Sequence, residues 1–223
     1  MMSLFKNIRF YILISSIIFS IFLYFYIPQI PNLIRAYALT AGVFLYFTLL
    51  AGPFCYTVKF LPFRGEYLKA RRALGVSAFY FGLLHASFAF FGQLGGFDGL
   101  FYLTNFYLIA ISLSFTALVI LFLMTLTATD FMINKLTFPR WKMLHRLIYL
   151  AGFFILIHAL MLGTHFQDIS STLTQIFLVA ILFLLFLEAL RIDAFIQKNF
   201  KNIPRLGIAI LLLLFIIWVV FLM

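Results

Sequence analysis

The sequence predicts an all-α protein, a polytopic transmembrane helix bundle with a six-helix core and one extra C-terminal span. Of its 223 residues, 65% are apolar and only 10% are charged, whereas a soluble domain carries roughly a quarter charged residues. Seven apolar runs approach the roughly 20 residues that a helix needs to cross a bilayer. The Lys and Arg residues are also distributed very unevenly between the connections. Together these observations exclude a soluble globular domain.

The seven runs follow one another with short connections. The first keeps its full length and is not followed by a small-residue cleavage site, so we interpret it as an uncleaved span. No connection is long enough to form a soluble domain of its own. We therefore divide the chain into an N-terminal span at 1–35, a helical core at 36–190, and an inner loop with the C-terminal span at 191–223. The predicted spans are about 10–27, 37–58, 73–92, 102–127, 145–163, 172–190 and 206–222.

The basic residues predict the orientation. With the N-terminus in the cytoplasm, 15 of the 16 Lys and Arg residues lie on the inner side, and only Arg35 lies outside. This asymmetry follows the positive-inside rule and predicts a multi-pass protein of the cell inner membrane. The net charge of +10 is then explained by anchors that face an anionic leaflet. No basic run with stacking residues indicates a nucleic-acid partner. The single cysteine, Cys55, excludes a disulfide framework within one chain.

Two histidines lie deep within predicted spans. His85 comes 13 residues after Arg72, and His158 comes 13 residues after His145, which is about 20 Å along a helix. Both spans run outward, so both histidines reach the outer half of the bilayer, where an ionisable residue is costly. Two imidazoles at matched depth on neighbouring helices suit the axial positions of a b-type haem. We predict that His85 and His158 bind an outer haem iron. The alternative is a pair of core histidines bonded to carbonyls or hydroxyls.

The inner end leaves alternatives open. His145 is either an interfacial residue or an axial ligand of a second, inner haem. Opposite it the third span carries Arg71 and Arg72, which are not usual iron ligands but are suited to haem propionates or a flavin phosphate. Arg140 and Arg146 flank His145 and are further candidates for the same anionic groups. We therefore expect one or two b-type haems and consider FMN as a further cofactor.

Other chemistry is sparse. On a straight helix the step from His145 to His158 turns about 220°, so the two would serve groups on different sides. His165 follows the fifth span and is expected to face outer solvent. The six acidic residues are expected in loops or at helix ends, without an acid/base pair. We predict no catalytic residue, and we expect an electron-transfer subunit of an oxidoreductase system rather than a complete enzyme.

Two sequence blocks carry a family resemblance. The first begins at Arg71-Arg72-Ala-Leu-Gly and ends at Leu-His85. The second leads from Thr127-Ala-Thr through Arg140-Trp-Lys-Met-Leu-His145 and Tyr149 to His158. Both resemble the ferric-reductase-like transmembrane superfamily, and most closely the haem-binding membrane subunit of periplasmic methionine-sulfoxide reductase systems (the MsrQ/YedZ type). The resemblance covers roughly residues 50–165.

This resemblance implies a bundle that binds b-type haem, with His85 and His158 at an outer haem and His145 at an inner site. The electron donor would be a cytoplasmic flavin reductase or quinol, and the acceptor a periplasmic oxidoreductase of the methionine-sulfoxide reductase type. The wider superfamily carries two histidines on each of the two haem helices, whereas the third span here carries one. The alternatives are a metal-ion or quinone reductase subunit, or a non-redox transporter or assembly factor. The last would need a polar cavity and broken helices.

Overall fold

The computed structural model describes residues 8–163, 166, 168 and 170–199 of the chain. This part of the chain is helical, without strands, and the third helix continues into a π-helical turn at Ala89–Gln93. Its helices are α1 (Ile8–Tyr26), α2 (Ile30–Thr57), α3 (Arg64–Phe88), α4 (Phe97–Leu100), α5 (Asn105–Leu126), α6 (Asp130–Leu136), α7 (Phe138–His145), α8 (Ile148–Leu162) and α9 (Thr172–Asn199).

Six of the predicted spans are confirmed as helical segments long and apolar enough to cross a membrane. The prediction of a seventh, at 206–222, lies outside the described residues. Several helices extend past the apolar runs that predicted them, because a helix continues until its backbone is capped or turned. Thus α2 begins at Ile30 and carries the exposed Arg35 within its first turns rather than in a loop. The observed segments are Ile8–Tyr26, Ile30–Thr57, Arg64–Gln93, Asn105–Leu126, Phe138–Leu162 and Thr172–Ile196.

The third span ends in tightly constrained backbone. In the π-helical turn, the N–H of Leu94 donates to the carbonyl of Ala89 at 2.9 Å. Gly95 and Gly96 then adopt φ of 74° and 83°, the left-handed region that favours glycine. A Cβ on Gly99 would lie 1.7 Å from the carbonyl oxygen of Leu94, so only glycine fits at that position. The third span therefore ends at Gln93, about two turns after His85.

The fifth span is built from two helices. Thr137 has φ of 66° and caps α7, and a proline follows in the first turn of that helix. The chain then turns at 146–147 before α8 begins at Ile148. His145 is therefore the last residue of α7, and His158 lies in α8. The expected turn of 220° between these two histidines is therefore wrong, because they lie on two helices and not on one straight helix.

The chain divides into two compact units. The first contains α1, α2 as far as Leu49, and α3 to α8. Its centre is packed through the fully buried Ala78, Ala117 and Ala151 on α3, α5 and α8, since small residues let membrane helices approach closely. A second buried cluster joins α1, α2 and α3 around Tyr37 and Phe81. This first unit holds all three of the histidines that the structure describes.

The second unit contains Leu50–Arg64 and α9. Within it the buried Cys55 lies in α2, with its thiol 3.9 Å from the carbonyl of Arg64. Glu188 was expected at a helix end, but α9 continues to Asn199, so that expectation is wrong. Glu188 lies in the middle of α9, and its carboxylate pairs with Arg191, three residues further along the helix, at 2.9 Å.

Candidate functional site

The structure brings His85 and His158 together. Their imidazole rings, on α3 and α8, have centroids 6.3 Å apart and planes inclined at 78°. Both side chains are half-buried. An imidazole nitrogen binds a metal ion at about 2 Å, so two axial imidazoles on one iron place their ring centres roughly 6 Å apart. The observed separation therefore suits two ligands of a single metal ion.

Each of these rings is held by a main-chain carbonyl on another helix. Nδ1 of His85 lies 3.0 Å from the carbonyl oxygen of Ile34 on α2. Nδ1 of His158 lies 2.9 Å from the carbonyl oxygen of Ala110 on α5. A carbonyl only accepts, so Nδ1 must carry the proton and Nε2 keeps its lone pair. This pattern is typical of histidines that ligate metals, whose second nitrogen donates to a carbonyl or carboxylate.

The surroundings fit a group that brings its own equatorial ligands. Among the described residues no group of three or more His, Cys, Asp or Glu side chains lies close enough to hold a metal ion. Two histidines alone make an incomplete site for a bare ion but a complete axial pair for haem iron, whose porphyrin supplies the other nitrogens. The outer histidine pair, as we name His85 and His158 after their predicted depth, thus fits haem by its donor set and its spacing.

His145 lies in a different kind of environment. Its Nε2 is 3.2 Å from the hydroxyl oxygen of Thr127. The Trp141 ring stacks on its imidazole, with centroids 4.1 Å apart and an interplanar angle of 30°. The indole N–H of Trp141 in turn donates to the Thr127 carbonyl at 2.9 Å. These contacts attach α7 to the end of α5.

Arg72 and Asp130 complete this arrangement, which we call the inner cluster: Arg72, Thr127, Asp130, Trp141 and His145. The Arg72 guanidinium pairs with the Asp130 carboxylate and lies 5.4 Å from the centre of the Trp141 ring. Arg9 on α1 reaches the same carboxylate at 3.5 Å. The hydrogen bond from Arg72, followed by the charge of that guanidinium, holds the pKa of Asp130 below its usual value of 3.8.

The remaining predicted anion-binding residues have different surroundings. Arg71 donates from Nε to the carbonyl of Thr48 at 3.1 Å. Arg140 and Arg146 are exposed, in α7 and in the turn that follows it. The prediction for His165 lies outside the described residues. Of the predicted anion-binding arginines, Arg72 is the one that reaches the aromatic partner of His145.

Sequence reasoning missed several groups that hold the histidines. The carbonyls of Ile34 and Ala110 carry no signal in the sequence, because every residue has a carbonyl and only the packing selects one. Trp141 could have been found, since it precedes His145 by four residues and thus lies on the same helix face. The contact between Thr127 and His145 could not, because Thr127 caps a different helix, α5, and only packing brings the two residues together.

The six apolar helices and their connections define a multi-pass membrane protein. The sequence matches the family described as ferric reductase like transmembrane component over residues 36–157. This match covers more than half of the chain, which therefore belongs to that family of membrane redox domains. It takes in all of α3 to α7 and most of α2 and α8, ends one residue before His158, and leaves out α1 and α9. No curated protein and no solved structure matches the chain.

Proposed function

We propose that this protein is a b-type haem-binding subunit that transfers electrons across the membrane to an acceptor on the outer side. The observation that carries the proposal is the outer histidine pair. Two rings 6.3 Å apart each have Nδ1 held by a main-chain carbonyl, which leaves Nε2 of each ring to bind iron. Membership of the ferric reductase family supports a redox role for this geometry.

The chain's own residues prepare the site for its cofactor. When bound, haem supplies a one-electron carrier whose potential responds to its axial ligands and to the hydrogen bonds that those ligands make. His85 and His158 would hold its iron through Nε2. The Ile34 and Ala110 carbonyls fix the tautomer and orientation of each ring and raise the basicity of its free nitrogen.

The proposed direction of transfer is from inside to outside. The basic residues predict a cytoplasmic N-terminus, and the outer histidine pair then lies in the outer half of the membrane. The donor is a cytoplasmic flavin reductase or quinol. The proposed acceptor is a periplasmic oxidoreductase of the methionine-sulfoxide reductase type, as the two sequence blocks imply. A metal-ion or quinone reductase subunit would use the same site and differ in its acceptor.

The inner end is proposed as the place where electrons enter. His145 remains a candidate ligand for a second haem, although its Nε2 is bonded to Thr127 in this structure. Arg71 and Arg72 remain candidates to bind a haem propionate or a flavin phosphate such as that of FMN, and so do Arg140 and Arg146. A ligand with one negative group would compete with Asp130 for the Arg72 guanidinium.

Absorption spectroscopy tests the proposal directly. Purified full-length protein, expressed with ample haem, should show a Soret band and α and β bands that sharpen on reduction. A haem-to-protein ratio of at least one, with a low-spin electron paramagnetic resonance signal, is expected for two imidazole ligands. A colourless protein would contradict the proposed function.

A further inference from the structure

The hydrogen bond made by His85 depends on the relative position of two helices. The ring belongs to α3, whereas its acceptor, the Ile34 carbonyl, belongs to α2. A small shift of α2 along or away from α3 would lengthen this bond. The contacts that hold α2 against α3 therefore control the length and strength of the hydrogen bond from Nδ1 of His85 to the Ile34 carbonyl.

Ser20 on α1 is bonded to both of these helices. Its main-chain oxygen accepts a hydrogen bond from the hydroxyl of Tyr37 on α2 at 3.1 Å. Its side-chain oxygen lies 2.7 Å from the hydroxyl of Tyr80 on α3. Ser20 is only 3% exposed and Tyr37 only 2%, so water does not compete for these bonds.

The two tyrosines are close in sequence to the groups that they would align. Tyr37 follows Ile34 by three residues on α2, and Tyr80 precedes His85 by five residues on α3. The Tyr37 ring also packs against Phe81 and Phe88, with centroids 6.1 and 5.7 Å away. The position of Tyr37 is thus set by a hydrogen bond on one side and by aromatic packing on the other.

A second hydrogen bond strengthens the attachment of α1 to α3. The hydroxyl of Ser16 donates to that of Ser77 at 2.8 Å in a buried position. Such polar contacts between apolar helices stabilise one relative register, because an unpaired hydroxyl in the bilayer is unfavourable. The helix that makes these contacts, α1, lies outside the stretch that matches the ferric reductase family.

We propose that α1 sets the position of the His85 ring through Ser20, with Tyr37 and Tyr80 as positioning residues for the haem ligand. This inference rests on the proposed haem role of His85. By holding α2 against α3, the three residues keep the Nδ1–H of His85 on the Ile34 carbonyl. A stronger bond at Nδ1 makes Nε2 more basic, which stabilises ferric iron and lowers the reduction potential.

The decisive variant is Tyr37→Phe, which removes one hydroxyl and keeps the aromatic packing. We expect the potential of the haem to rise, because the Ile34 carbonyl is held less firmly. The equilibrium constant for reduction should increase roughly three- to tenfold, in proportion to one interhelical hydrogen bond. A tenfold change corresponds to 59 mV for a one-electron couple. Spectroelectrochemical titration in a His145→Ala background measures this haem without any contribution from the inner end.

Ser20→Ala and Tyr80→Phe test the link between α1 and α3, which is the bond between the Ser20 and Tyr80 side chains. Each breaks the same interhelical Ser20–Tyr80 bond and leaves the Ser20 main-chain oxygen available to Tyr37. Ser20→Ala also removes a bond from the Ser20 hydroxyl to the Ile17 carbonyl, but that bond lies within α1. The two variants should therefore raise the potential equally, and the double variant should add nothing further. Additive shifts in the double variant would overturn the assignment of this bond.

Tyr46→Phe is the matched control. Tyr46 lies on the same helix as Tyr37, is half-buried, and its hydroxyl has no hydrogen-bond partner among the described residues. It should leave the potential unchanged. If the wild type binds haem but Tyr37→Phe, folded and fully loaded, keeps the wild-type potential and low-spin signal, the positioning role is overturned. A wild type without haem would instead overturn the proposed function.

Discussion

The histidines at the two ends of the bundle are held in opposite ways. In the outer histidine pair each Nδ1 is bonded to a main-chain carbonyl of a neighbouring helix. His145 instead uses Nε2 to contact the Thr127 hydroxyl and stacks its ring on Trp141. A carbonyl on Nδ1 leaves the outer rings ready to bind metal, whereas His145 must exchange Thr127 for a metal ion before it can use Nε2. The difference indicates that the outer site is preorganised and that the inner one is not.

The largest expected effect is the loss of the outer haem. Replacing His85 or His158 with Ala should remove it almost completely, because each is one of the two proposed protein ligands. The measurement is the haem-to-protein ratio together with the reduced α band. His165→Ala is the control and should retain the outer haem. A wild-type low-spin spectrum in either His85→Ala or His158→Ala would contradict the proposal that these two histidines bind the outer haem.

The second prediction concerns His145→Ala. The outer haem should remain, with its low-spin electron paramagnetic resonance signal intact, because α8 and the Ala110 carbonyl are unaffected. Any haem that is lost should belong to the inner end. Loss of all haem from a folded His145→Ala protein would mean that the two ends are not independent.

A smaller effect is expected for Trp141→Phe. Phenylalanine keeps an aromatic ring for His145 to stack on but removes the indole N–H that donates to the Thr127 carbonyl. Loss of one such interhelical bond should lower the free energy of unfolding by about 0.6 kcal/mol. Thermal unfolding in detergent measures this, and the potential of the outer haem should not change. A shifted outer potential would show that the inner cluster acts on the outer pair.

The smallest effect is expected for Asp130→Asn, because the Asp130 side chain is 73% exposed. Its pKa is lowered by Arg72, so the ionised carboxylate stabilises the folded state at pH values above its usual pKa of 3.8. This contribution is lost as the pH falls through the lowered pKa of the folded state. The melting temperature of the wild type should therefore exceed that of Asp130→Asn at about pH 6, and the gap should close towards about pH 3. Asp98→Asn, an exposed acid without an ion pair among the described residues, should show no such gap. If the difference in melting temperature between the wild type and Asp130→Asn did not change with pH, the electrostatic explanation would be contradicted.

Much of the fold could be predicted because a bilayer imposes a simple length requirement on apolar segments. The centres of the six spans and most of their ends were predicted well, whereas the starts of the second, third and fifth spans and the end of the sixth were not. The start of α2 at Ile30, the extension of α9 past Glu188 and the break at 146–147 depend on capping and packing. The division of the chain at 35 and 190 and the cytoplasmic N-terminus remain predictions.

The sequence by itself determined the membrane class and the six described spans, and it predicted a similar depth for His85 and His158, since these follow from hydropathy and from the fixed rise of a helix. Only the tertiary structure decided that the two rings lie side by side and that Ile34 and Ala110 supply their acceptors. It also decided that His145 faces Thr127 and Trp141, and that Ser20 joins α1 to the helices around His85. The physical reason is that a helix sets depth along its own axis, whereas rotation about that axis and the choice of neighbour arise from packing between helices.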